Sequence, residues 1–184
     1  MLEFMQKGEF DLVFSLMERS FPCGEYRPYS AQRALLDERD YRIRTVKRNG
    51  GIIGFAAVWE FERFTFLEHL AVDPQCRNSG IGGAILQELT DGCTSPLFLE
   101  VEMPETEMAK RRIGFYERNG FYLNRYDYCQ PALSAGNAPI PMYIMTAPAP
   151  IDIRIMFSVS CAVRKITMVS GCWGFISLHS SKPF

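Results

Sequence analysis

The stretch Leu70-Ala-Val-Asp-Pro-Gln-Cys-Arg-Asn-Ser-Gly-Ile-Gly-Gly-Ala-Ile-Leu86 constrains this chain more than any other. An apolar-rich run at 64–72 (FTFLEHLAV) reads as a strand and stops at Asp73-Pro74. A polar turn follows, and Ile81, Ile85 and Leu89 then recur at helical spacing until Gly92. A strand must therefore feed a helix through a glycine-rich step. The first-turn N–H groups of a helix lack intrahelical acceptors and carry the positive end of its dipole, a ready site for phosphate oxygens. Gly80 and Gly82 remove side chains where a pyrophosphate would approach the backbone. Arg77 adds a fixed charge with a hydrogen-bonding fork. Ser79 can either cap the helix or donate to a phosphate. A Walker loop is excluded because no GK[ST] opens the helix, and the dinucleotide fingerprint begun at Gly80 would need glycine where Ile85 stands.

The flanking sequence supplies the rest of a fold. Phe10, Val13, Phe14 and Met17 lie on one face of a helix over 8–19, ended by Pro22 and Gly24. Ser30 can cap a second helix through Glu38. Residues 41–47 and 52–61 read as strands joined by the hairpin signal Asn49-Gly50-Gly51. Residues 97–102 form a strand, 105–118 a helix stopped at Asn119-Gly120, and 121–128 an extended stretch. A loop leads to a last strand, IPMYIMTA, ending at Ala147. The order ααβββαβαββ describes an α/β (α+β) domain with a mixed sheet.

Composition narrows the classes. A chain of 184 residues, 47% hydrophobic, can bury one sizeable core. Twenty Lys+Arg against 21 Asp+Glu give no global basic field for nucleic acid or an anionic membrane. The six cysteines contain no CxxC spacing, and the two histidines, His69 and His179, lie far apart, which argues against a metal cage. With no leader pattern at the N-terminus, the cysteines read as free thiols and the setting as cytoplasmic. Residues 148–184 differ in composition: Asp152 is their one acidic residue, and no apolar run reaches the ~20 residues of a membrane span. They read as an apolar extension appended to a domain complete at 147: an added strand or swapped arm, an interaction segment, or an out-of-frame extension.

Val72-x-Pro74-x-x-Arg77-x-x-Gly80-x-Gly82 resembles motif A of the GNAT superfamily of acyl-CoA N-acyltransferases. Phe115-Tyr-Glu-Arg-Asn-Gly-Phe121 resembles its second hallmark, the FYxxxGF block, and the likeness covers about 1–147. The resemblance implies a mixed sheet splayed between its fourth and fifth strands. It also implies acetyl-CoA in that gap, paired through its pantetheine arm with Leu70, Ala71 and Val72. The pyrophosphate would sit on the loop Arg77, Asn78, Ser79, Gly80, Ile81 and Gly82. The chain departs from the family in one respect: Ala109 and Arg112 stand where many members carry Asn and Ala.

Acetyl transfer to an amine needs a neutral nucleophile, a stabilised oxyanion and a protonated leaving thiolate. Tyr116, by the same resemblance, is the candidate acid, with core packing as the alternative. Glu68 is the candidate base, or an ordinary strand carboxylate. Strand parity places Glu68 on one face with Leu70 and Val72, and His69 on the other as a packing or surface histidine. Cys76 invites an acyl-cysteine, yet no neighbour in sequence supplies a base. Lys110-Arg111-Arg112 reads as a solvated helix face or a contact to the coenzyme's 3′-phosphate. Glu60, Glu62, Glu100 and Glu102 could attract a cationic amine.

The expected function is N-acetyl transfer from acetyl-CoA, without metal, to a primary amine of a small molecule or peptide by direct transfer in a ternary complex. Acceptor contacts would come from 20–38 and 129–141, including Tyr26, Arg27, Tyr29 and Gln130. A homodimer contact is one role open to the extension. The alternative is a non-catalytic acyl-CoA-binding sensor or interaction domain. A dinucleotide-binding oxidoreductase ranks third, disfavoured by Ile85 and the early hairpin.

Overall fold

The computed structural model describes residues 2–130, 139–152 and 166. Seven strands form one sheet: β1 (Leu2–Phe4), β2 (Tyr41–Arg48), β3 (Gly51–Glu60), β4 (Thr65–Val72), β5 (Leu97–Glu102), β6 (Tyr122–Gln130) and β7 (Ile140–Ala147). Their spatial order is β1-β2-β3-β4-β5-β7-β6, antiparallel except for β4 with β5. Four helices cover it: α1 (Phe10–Ser20), α2 (Tyr29–Ala34), α3 (Ile81–Gly92) and α4 (Glu107–Arg118).

The expected elements appear within a few residues of their predicted bounds, and the short edge strand β1 is added. Three residues are too few to show a period. The second helix runs as α2 with a 3-10 turn at Leu35–Asp37, and Pro28 rather than Ser30 is its N-cap. Asn49 and Gly50 both adopt positive φ, the conformation a tight β2–β3 hairpin demands.

Each face of the sheet carries its own core. On one side Phe10, Val13, Leu16 and Met17 of α1 pack on Phe55, Ala57, Phe66 and Phe98. On the other, Ile81, Ile85, Leu86 and Leu89 of α3 and Ile113 of α4 pack on Ala56, Val58, Leu67 and Leu99. The alternation Phe66/Leu67 and Phe98/Leu99 between the two cores is the strand period of two. Burial of these side chains is the main stabilising term.

Two features of the sheet position the cleft. The β4–β5 ladder holds for Thr65–Leu97, Phe66–Phe98 and Leu67–Leu99 only. Continued in register, it would set Glu68 beside Glu100, two like charges on adjacent strands, which is unfavourable. The ladder ends there and the strands diverge. Secondly, β3–β4 pairing slips between Ala57–His69 and Val58–Leu67, so Glu68 is the extra residue of a β-bulge.

Beyond Ala147 the chain stays attached to the domain. Ile151 N–H donates to Asn124 Oδ1 at 3.1 Å, and Tyr126 Oη donates to the Ile151 carbonyl at 2.8 Å. Asn124 Nδ2 also donates to Thr146 Oγ1 at 2.9 Å. Ile166, from the apolar segment, is buried in the core beside α1. Expectations for 131–138, 153–165 and 167–184 lie outside the described residues. Asn124→Ala leaves the Ile151 N–H without its acceptor and should cost about 1–3 kcal/mol, read as a lowered urea midpoint at unchanged slope.

Candidate active site

The divergence of β4 and β5 opens a cleft of about 400 Å³. Val72, Arg77, Glu68, His69, Glu100 and Gln130 line it, with Tyr116 of α4 also in its wall. Of the residues singled out from sequence, the cleft unites Glu68, Leu70, Ala71, Val72, Arg77 and Tyr116. Asn78, Ser79, Gly80, Ile81 and Gly82 continue from Arg77 but are not part of its lining.

The glycine-rich step has the geometry its sequence requires. Asn78 (φ 60) and Gly80 (φ 82) are left-handed, and Gly80 is the N-cap of α3. A Cβ on Gly80 would meet nothing within 4 Å, so the space over this turn is open. Gly82 has a second reason to be small: its Cβ would lie 3.2 Å from Phe115 Cζ, where α3 packs on α4. Ser79 does not cap α3, whose N-cap is Gly80. Its hydroxyl donates to the Cys76 carbonyl, closing the turn.

The bulge overturns the parity placement of Glu68, whereas His69 lies, as expected, on the face opposite Leu70 and Val72. With one extra residue in β4, both side chains turn towards α1, while Leu70 and Val72 pack on the α3 side. His69 is 4% exposed, edge-on to Phe21, with Nε2 2.9 Å from the Glu25 carbonyl. Glu68 accepts from Arg27 at 2.8 Å, and both side chains are almost wholly buried. Burial pushes the Glu68 carboxyl up, but the Arg27 charge and hydrogen bonds from His69 and Arg27 outweigh it and hold it at about 2.

Glu100 is in the opposite state. Tyr128 Oη and Gln130 Nε2 each donate to one of its oxygens. Burial pushes its carboxyl up to about 7, against those two hydrogen bonds. From sequence Glu100 counts only as an attractor of cations; its raised proton affinity comes from burial, opposed by Tyr128 and Gln130, residues brought from β6. The one sequence signal was an acidic residue within the apolar strand 97–102. Tyr116 is half-buried, and burial pushes its phenol up to about 12 despite the nearby Arg112.

Other candidates fall away from the cleft or into supporting roles. Arg27 serves Glu68, and Gln130 serves Glu100. Tyr26 and Tyr29 pack edge-to-face on Phe14, and Glu60 pairs with Arg44. The basic run on α4 divides: Lys110 pairs with Glu107, whereas Arg112 reaches Glu102 in the wall of the cleft. Among the described residues no cluster of three His, Cys, Asp or Glu is placed to hold a metal, and no helix is long and apolar enough to cross a membrane.

A strand splayed from its neighbour beside a helix that opens on a glycine turn defines an acyltransferase-type scaffold. The model of the acetyltransferase (GNAT) domain matches residues 39–123. A Bacteroides thetaiotaomicron protein of the GNAT acetyltransferase family is 32% identical, covers 90% of this chain and 97% of its own, and superposes with a TM-score of 0.84. The chain belongs to the GNAT acetyltransferase family. The Bacillus subtilis acetyltransferase-class protein YjbC is 29% identical over 110 residues, 59% of this chain; the chain spans 55% of that relative's length. The ribosomal-protein-S18-alanine N-acetyltransferase of Escherichia coli shares the fold (TM-score 0.61, 21% identity, 83% of this chain and 95% of that one). So does a spermidine N-acetyltransferase variant from Vibrio cholerae (TM-score 0.60, 14% identity, 79% and 93%).

Glu100 couples stability to pH with a defined sign. Its folded-state value is raised, so the stability it contributes is complete below about pH 4.5 and is lost as pH rises through about 7. Glu100→Gln should remove this loss. Its stability relative to the parent chain should rise by up to about 3 kcal/mol between pH 4.5 and 8, measured by denaturant titration across that range.

Proposed function

We propose that this protein moves an acetyl group from acetyl-CoA to a primary amine by direct transfer in a ternary complex. The observation that carries the reading is the cleft itself, with an open glycine turn beside it and two carboxylates of opposite proton affinity in its wall. The residues present fit the coenzyme. From Glu68 to Val72 the β4 edge has no ladder to β5, so the backbone of Leu70, Ala71 and Val72 can pair with an extended arm. The amides from Arg77 to Gly82, with the Arg77 side chain, suit a diphosphate, and Gly80 leaves room for it. When bound, the coenzyme supplies an activated acyl thioester.

The proton work then divides among three side chains. Glu100 takes a proton from the acceptor's ammonium, because a carboxyl near 7 can both accept and release one at neutral pH. Glu68 was the base suggested by sequence, but the Arg27 ion pair leaves it little proton affinity, so the base role is assigned to Glu100. Tyr116 keeps its phenolic proton up to about pH 12 and is the acid available to the leaving sulfur. The acceptor is a small-molecule or peptide amine; the S18 and spermidine enzymes named above share this fold and each act on an amine. The catalytic unit is taken as 1–147, with 148–184 an appended segment. Free thiols at Cys23, Cys76, Cys93 and Cys129 support a reducing, cytoplasmic setting.

Thiol release from acetyl-CoA across a panel of lysine peptides, polyamines and aminoglycosides tests this reading. Coenzyme binding with no transfer to any amine would favour the sensor alternative. Tyr116→Phe should lower kcat by about 10²–10⁴-fold at unchanged coenzyme affinity. Glu100→Gln should lower kcat/KM similarly and abolish the ascending limb of the pH–rate profile near 7.

A further inference from the structure

Among the described residues six large hydrophobic side chains are exposed, and two of them, Met108 (69%) and Ile140 (50%), line the cleft. An apolar side chain left in water beside a cavity gains from burial only when something apolar covers it. Met108, Arg112 and Tyr116 repeat at i, i+4 and i+8 and all three line the cleft, so one stripe of α4 forms this wall. The helical rise places Met108 about 12 Å from Tyr116 along the axis. A second apolar strip comes from β7. Met142 faces Glu102 across the ladder to β5 and Tyr128 across the ladder to β6, and Ile140 faces Gln130. Paired residues share a sheet face, so Met142 and Ile140 lie on the face where Tyr128 and Gln130 hold Glu100. Ile166, buried in the core on that face, also lines the cleft. The carboxylates nearby are weak partners for a further cation. Glu102 already pairs with Arg112, and burial pushes the Glu25 carboxyl up against the pull of that arginine.

We propose that Met108, Ile140, Met142 and Ile166 form a subsite for an apolar chain on the acceptor, which makes the acceptor an amphipathic monoamine. The inference rests on this cleft being the acceptor site of a transferase. With the ammonium at Glu100, the carbons that follow it run along β7 and Ile166 and leave past Met108. Two of the four side chains are methionines, unbranched and able to follow chains of different shape. A linear polyamine would set its second ammonium against apolar side chains, losing hydration without gaining a partner. The selectivity is therefore read on the carbon chain rather than on the reacting nitrogen.

Calorimetry of the full chain with n-butyl-, n-hexyl- and n-octylammonium reads this subsite whether or not transfer occurs. Affinity should rise about two- to fourfold per methylene, with a heat-capacity change that grows more negative along the series. Hexamethylenediamine should bind about tenfold more weakly than n-hexylammonium, or worse. Met108→Ser and Ile140→Ser alter exposed side chains and should keep the fold, checked by circular dichroism. Each should cut the ratio of n-octyl to n-butyl affinity about three- to tenfold. The proposal falls if affinity is flat along the series, if the diamine binds as tightly as n-hexylammonium, or if both variants keep the parent ratio; should a variant not fold, the parent series and the other variant decide. Thiol release from acetyl-CoA with n-octylamine is followed in parallel. No release with the affinity series intact would overturn acyl transfer and leave the apolar subsite standing.

Discussion

The rest of the molecule depends on the ladder between β4 and β5 ending after three residue pairs. Up to Leu67–Leu99 the strands share an apolar environment and hold the two cores in register. The next residues are Glu68 and Glu100, and placing both side by side in a continuous dry sheet would bury two like charges. The strands part instead. Each carboxylate takes a different partner set, and the sheet gains a slot with an unpaired backbone edge.

From that separation comes the division of chemical character. The bulge turns both Glu68 and His69 towards α1, and the loop after α1 delivers Arg27 to the first of them. β6 lies on the far side of β7, yet Tyr128 and Gln130 reach Glu100 from it. Arg27 thereby keeps Glu68 ionised, while burial raises Glu100 towards neutrality against the hydrogen bonds of Tyr128 and Gln130. The glycine turn is held independently. Ser79 is bonded to Cys76, Asp73 caps the short turn through the Gln75 N–H, and α3 is seated on α4 through Gly82 and Phe115. The glycine turn and the carboxylate end of the cleft thus rest on different supports, so a change in one need not disturb the other.

The segment after Ala147 changes character in composition but not abruptly in structure. Ile151 is tied through both backbone polar groups to β6, on the strand that also carries Tyr128 and Gln130. Ile166 contributes to the core beside α1 and to the cleft wall. Residues read from sequence as an appendage therefore include two that pack with the domain.

By itself the sequence determined the element order, the strand–turn–helix step, the glycine turn and the helical position of Tyr116. These are local matters: periodicity, capping and positive φ depend on residues a few positions apart. The family was legible for the same reason, since Arg77, Gly80, Gly82 and the Phe115–Phe121 block are contiguous runs. Only the tertiary structure decided which way Glu68 faces, because one inserted residue reverses strand parity and leaves no mark in composition. It alone decided which carboxylate keeps a proton. Proton affinity is set by burial and by partners such as Arg27 and Tyr128, which lie 41 and 28 residues away from the groups they hold.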